Sequence, residues 1–255
     1  MLTKLTSLFL KVSLLGGALL LLNGCISEGA AFGLGAGSLH ETVMMEKDKN
    51  APPPVYGPPQ IIYRIDDNRY FTLENYTSCE DGQTFYNNKK KGIHVQVSPG
   101  SGYLFKGRLF WLSTRDDYLA FPLTMNSDKA VCIGSDKGCL NIITITVDGG
   151  KTMRSVTYGN YTQDPTGDTE DYDMLVTNEG FYMIKYWFGE RAPDNGMVDK
   201  WTFQPDKEAA EKYGYPGVVG PEYQKQFDMD VSGVIQEKMQ CNRSLEPVQK
   251  LSEAL

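Results

Sequence analysis

Histidine is nearly absent. The 255 residues contain only His40 and His94, which removes most routes to acid–base chemistry at neutral pH. A Ser-His-Asp arrangement would have to use His94, yet no Gly-x-Ser-x-Gly elbow is present to offer a serine. The chain also lacks CxxC and HxxxH spacings, which disfavours zinc. Basic charge is scarce: 25 Lys and Arg face 32 Asp and Glu, a net of -7, which argues against nucleic acid or anionic headgroups as partners and leaves basic protein surfaces. The glycine-rich "GLGAG" at Gly33–Gly37 follows no strand, so a nucleotide loop is not supported. Long hydrophobic runs are missing too. The one apolar run, Val12–Leu22, is too short to span a bilayer.

That run has a use of its own. Lys4 and Lys11 precede it and Gly24 comes before a cysteine, so residues 1–24 read as an export signal. Leu22-Asn23-Gly24-Cys25 resembles a bacterial lipobox, in which Cys25 would be lipidated and become the mature N-terminus. With Ile26 rather than Asp after it, the resemblance implies the outer membrane, periplasmic side. Loss of Lys4 and Lys11 takes the charge from -7 to -9. Residues 25–60 are rich in Gly and Ala, then Pro, and read as a tether. The folded domain is expected over 61–245, with 246–255 as a C-terminal tail.

With Cys25 assigned to lipid, Cys79, Cys132, Cys139 and Cys241 remain for an oxidising compartment, which favours two disulfides. Three pairings are open. The favoured set joins Cys132 to Cys139 across "CIGSDKGC" and Cys79 to Cys241 across the whole domain. Loop entropy gives the first ~2.5 kcal/mol and the second ~5 kcal/mol.

Short segments rich in β-branched and aromatic residues follow one another from "IIYRI" through "YLFKGRLFWLS" and "GFYMIKYWF" to "VDKWTF", separated by Gly, Asn, Asp and Pro. They predict a mainly β fold: a single antiparallel β-rich domain, sandwich or partial-propeller-like, plus short C-terminal helices. Those helices are expected at "PDKEAAEKYG", "SGVIQEKMQ" and "EPVQKLSEAL". "NNKKKG", "DGGK" and "TNEG" are expected as hairpin turns.

Two polar stretches are candidates for function. "TVDGGKTMR" (Thr146–Arg154) resembles the Asp-box hairpin of sialidases and related propellers. Asp148 can accept bonds from the turn amides, Gly149 and Gly150 permit positive φ, and Thr152 can bond back. These are structural roles, and the motif occurs once, without the arginine cluster a sialidase needs. The acidic run "DPTGDTEDYD" carries Asp164, Asp168, Glu170, Asp171 and Asp173. It lacks the ligand order of a calcium loop and reads either as a solvated loop or as a face that docks a basic partner.

The stretch "PPQIIYRIDDNRYFTLENYTSCEDGQTFYNNKKKGIHVQVS" (58–98) is the most specific. Its Tyr63-Arg64-Ile65-Asp66, Arg69-Tyr70, Leu73-Glu74, Cys79, Tyr86-Asn87-Asn88 and Gly92-Ile93 resemble the immunity lipoproteins of the Tli3-like family, which protect bacteria from type VI secretion lipase effectors. The resemblance implies no catalysis and no cofactor. It implies a cognate lipase effector as partner, blocked by occlusion over ~1,600 Å² of interface, and a membrane contact made only through the lipid on Cys25. A lipid-anchored carbohydrate-binding or sialidase-like protein and a purely structural envelope lipoprotein are the alternatives.

Overall fold

The computed structural model describes residues 53–124, 138–192, 195–204, 217–224 and 231–248. The expected signal, Cys25, most of the tether, Cys132, the helix at "PDKEAAEKYG" and residues 249–255 lie outside the described residues.

The domain is mainly β. Four strands, β1 (Gln60–Arg64), β2 (Arg69–Glu74), β3 (Gln83–Asn88) and β4 (Ile93–Ser98), form an antiparallel meander in chain order. The second sheet has the order β12-β11-β10-β9-β5: β12 (Gly217–Gln224), β11 (Gly196–Gln204), β10 (Gly180–Tyr186), β9 (Tyr172–Val176) and β5 (Arg108–Trp111). The third joins β6 (Leu119–Leu123), β7 (Cys139–Thr146) and β8 (Arg154–Thr162). Among the described residues all pairings are antiparallel except β5 with β9, which run parallel with Arg108 opposite Asp173. An antiparallel partner was expected there; a parallel one is possible because a whole sheet, β6–β8, lies between the two strands in sequence.

Phe71 sits where the three sheets meet. It is fully buried, and its ring centroid lies 5.6 Å from Tyr86 in its own sheet, 5.5 Å from Trp111 in the second and 4.5 Å from Phe121 in the third. Such pairs add ~0.5–1.5 kcal/mol each beyond the area they bury.

Several local expectations change. "YLFKGRLFWLS" does not run as one strand; a 3-10 turn at Gly102–Leu104 precedes β5. Gly107 is packed against Tyr172, and a Cβ there would stand 2.3 Å from the Tyr172 carbonyl oxygen. The segment "SGVIQEKMQ" is not helical. Its backbone is bound to other elements instead: Gln240 N–H donates to Ile62 O at 2.8 Å, Leu109 N–H to Glu237 O at 2.7 Å, and Asn242 N–H to the Gln60 side chain at 2.7 Å. Helical structure appears where none was expected, as α1 (Pro165–Asp168) and a 3-10 turn at Thr169–Asp171, both inside the acidic run. The fold also takes hold of the chain before residue 61. Gly57 N–H donates to Tyr76 O at 2.9 Å, and Tyr76 Oη donates to Pro58 O at 2.8 Å.

Cys79 and Cys241 are joined by a disulfide, a sequence separation of 162. It fastens the C-terminal strap to the end of the first sheet, where Cys79 N–H also donates to the Glu246 carboxylate at 2.9 Å.

Candidate partner-binding surface

The Asp-box turn links β7 to β8. Thr146 Oγ1 donates to Asp148 Oδ1 at 2.8 Å and accepts from Gly150 N–H at 3.0 Å. Thr152 donates to Asp148 through its N–H at 2.9 Å and its hydroxyl at 2.7 Å. Burial alone would raise the Asp148 carboxyl, but these donors outweigh it and hold it below the ordinary value. Gly149 and Gly150 take φ of 72° and 90°, and a Cβ on Gly150 would meet Val95 at 2.6 Å. The side chains of Thr146, Asp148 and Thr152 are directed at the turn itself, while Lys151 and Arg154 are exposed.

The acidic run is divided between structure and surface. Asp164 caps α1 by accepting from Gly167 N–H at 2.9 Å, as an N-cap aspartate does. Asp168 pairs with Lys185 Nζ at 2.9 Å. Asp173 is wholly buried on β9, so it cannot touch a partner. Arg108 grips it through both guanidinium arms, with Nε at 2.9 Å, and Arg191 Nε adds a bond at 3.2 Å. A carboxylate removed from water needs such compensation. The Asp173 hydrogen bonds raise the Arg108 guanidinium further above its ordinary value, against the opposing effect of burial. Exposed Asp164 and half-buried Asp168 are engaged in the cap and the ion pair but still reach the surface, and exposed Glu170 and half-buried Asp171 stand outside those two contacts.

Glu170 and Asp171 line a mixed cleft. Its volume is about 470 Å³, and Tyr103, Lys106, Arg191 and Met239 share the lining with them. Lys106 lies 3.4 Å above the Tyr103 ring, a cation–π contact, and burial lowers its ammonium from the ordinary value.

Next to the cleft, β10 ends in Trp187-Phe188-Gly189, a single 3-10 turn. Phe188 has φ 56° and ψ 26°, a left-handed conformation that costs a bulky residue ~1–2 kcal/mol. Its relative exposure is 102% and that of Trp187 is 46%. The turn is clamped from behind: Trp187 N–H donates to Asn195 O at 3.2 Å, and Asn195 Nδ2 donates to Trp187 O at 2.9 Å and Glu190 O at 2.8 Å. It abuts the acidic run, since a Cβ on Gly189 would stand 3.3 Å from Asp171 Oδ1. The Arg191 guanidinium also bonds the Glu170 carbonyl. Sequence reading placed Trp187 and Phe188 at the end of the strand "GFYMIKYWF". The signal it passed over is the Gly that follows two large aromatics, which marks a turn rather than a strand.

The residues behind the family resemblance are scaffold. Tyr63 is buried and donates to Leu109 O at 2.7 Å. Asp66 accepts from Arg69 Nε at 2.6 Å and from the N–H groups of Asn68 and Arg69, both at 2.8 Å. Arg69 then reaches Arg115 O at 2.7 Å and Ser113 O at 2.8 Å, fixing the loop after β5. Asn88 bonds Asp116 at 2.7 Å. His94 stacks on Phe85 at 4.7 Å and bonds Asn87 at 2.8 Å, the ordinary state of a strand histidine.

Compared with known families, residues 55–185 match the T6SS Tli3 immunity protein family, more than half of the chain. The chain belongs to this family. A comparison with curated proteins returns no match. The match takes in all of the first sheet, the Asp-box hairpin and the acidic run, and it stops two residues before Trp187.

Proposed function

We propose that this Tli3-family protein is a lipoprotein anchored through Cys25 to the outer membrane, facing the periplasm, where it binds a type VI secretion lipase effector and blocks it by occlusion. The observation that carries the reading is the family match over residues 55–185. The lipobox-like Leu22–Cys25 supports the anchor, and the chain's negative charge suits a basic protein partner. The protein acts by binding, without chemistry of its own.

The test is to express a type VI secretion lipase effector in the periplasm, taken from the adjacent gene where that gene encodes one, with and without the full chain. Survival only when the chain is present is expected; equal killing in both cases would sink the proposal. Cys25→Ala tests the anchor separately. The variant should leave the membrane fraction, and its persistence in the outer membrane would contradict lipidation.

A further inference from the structure

We infer that the Trp187–Phe188 tip, flanked by Glu170, Asp171 and Glu190, is the anchor by which this chain grips its lipase effector, inserting the two rings into an apolar pocket rimmed by lysine or arginine. This rests on the functional reading above and specifies its contact surface.

Three observations converge on the tip. First, the fold holds Phe188 in a left-handed conformation with its ring fully in water. Glycine would fill that backbone position with less strain, and an exposed ring gives nothing back to the packing. Second, the backbone of the turn is held by Asn195 and its partners, so the chain that carries the rings is already set before a partner arrives. Preorganisation of this kind lowers the entropic cost of association, and tryptophan is enriched among residues that dominate interface energetics. Third, acidic side chains flank the tip itself, with the cations Lys106 and Lys238 set in the adjoining cleft. Arg191 is turned inward onto Asp173 and the Glu170 carbonyl, whereas Glu190 and Glu170 are exposed and Asp171 is half-buried. Such a rim steers a basic surface toward the rings and is repelled by anionic headgroups, which favours a protein over a membrane as the occupant. The tip also lies outside the family-matched stretch, a suitable place for a surface that tells one effector from another.

Phe188→Gly provides the test, because it deletes the ring while relaxing the backbone. The protein and the lipase effector it protects against in the survival test are co-purified, and their affinity, the melting temperature and cell survival are measured for wild type and variant. The expected result is a melting temperature no lower than wild type with affinity reduced about 30-fold or more, the loss typical of a hot-spot aromatic. Paired Glu170→Lys and Asp171→Lys substitutions should slow association about tenfold and weaken its dependence on salt. Unchanged affinity and protection in Phe188→Gly would overturn the tip as the anchor while leaving the immunity reading intact. Failure of the wild-type chain to bind the lipase would remove both. Co-sedimentation with phosphatidylethanolamine–phosphatidylglycerol vesicles supplies a third arm. Vesicle binding that Phe188→Gly abolishes, with lipase affinity unchanged, would make the tip a membrane contact and refute the proposal.

Discussion

Two hairpin ends of this domain use their residues in opposite ways. At the β1–β2 end, Asp66 and Arg69 turn every strong donor and acceptor inward, and Arg69 crosses to the carbonyls of Ser113 and Arg115. At the β10–β11 end, the backbone is clamped by Asn195 while the two largest side chains point into solvent. The first end lowers the energy of the fold. The second carries strain at Phe188 that the rest of the fold must offset. Family membership is written in the first kind of residue, because the scaffold is what members must share, and it says little about where a partner is held.

Predictions follow from trying to break this division of labour. The largest effect belongs to the scaffold's covalent tie. Replacing Cys79 and Cys241 by Ala should cost ~5 kcal/mol by loop entropy, measured by urea unfolding under non-reducing conditions; a loss near zero would mean that the strap is held by its hydrogen bonds alone. Arg69→Ala should cost ~2–4 kcal/mol, since it leaves two loop carbonyls without their donor and takes the guanidinium away from the Asp66 carboxylate. Arg69→Lys should recover only part of this, because an ammonium cannot match the guanidinium fork. A full recovery would show that charge rather than geometry secures the turn. At the opposite end the sign reverses: Phe188→Gly should be neutral or stabilising by up to ~1 kcal/mol, and a clear destabilisation would move Phe188 into the scaffold class.

The smallest effect is one of pH. Asp66 and Asp148 both have carboxyls held below the ordinary 3.8; burial pushes each upward, but the Arg69 contacts in one case and the Thr152 and Thr146 contacts in the other outweigh it. Groups depressed on folding contribute stability that is present above their unfolded value and lost as pH falls through the folded one. Stability should therefore decline as pH is lowered from 5 to about 2, and Asp148→Asn should flatten that decline. An unchanged acid limb in Asp148→Asn would show that the Asp-box carboxylate is not what the acid titrates.

Much of the fold was legible because its strands are apolar and its turns carry the required Gly and Asn. What was missed has a common cause. In β3 the inward residues are Thr84, Tyr86 and Asn88, so the alternation is one of burial and not of hydrophobicity, and composition conceals it. In β12, Pro221 and two glycines break the pattern that marks a strand. The segment 232–240 has helical composition, but its backbone partners lie 128 to 178 residues away, at Leu109 and Ile62, beyond the reach of any local rule. The acidic run shows the same limit on the side of function. Nothing in "DPTGDTEDYD" separates Asp173, buried against two arginines, from exposed Glu170. That difference arises only when β9 pairs with β5 and brings Arg108 alongside.

The placement of the aromatics has an optical consequence. The chain has three tryptophans, and Trp111 and Trp201 are sealed in the core at 5% and 1% exposure. Trp187 alone stands in water, so the long-wavelength edge of the protein's intrinsic emission comes from the tip. A soluble quencher should extinguish that part of the spectrum first, and any partner that covers the tip should shift it toward the blue. The molecule thus reports on its own proposed docking point, without a label and without altering a residue.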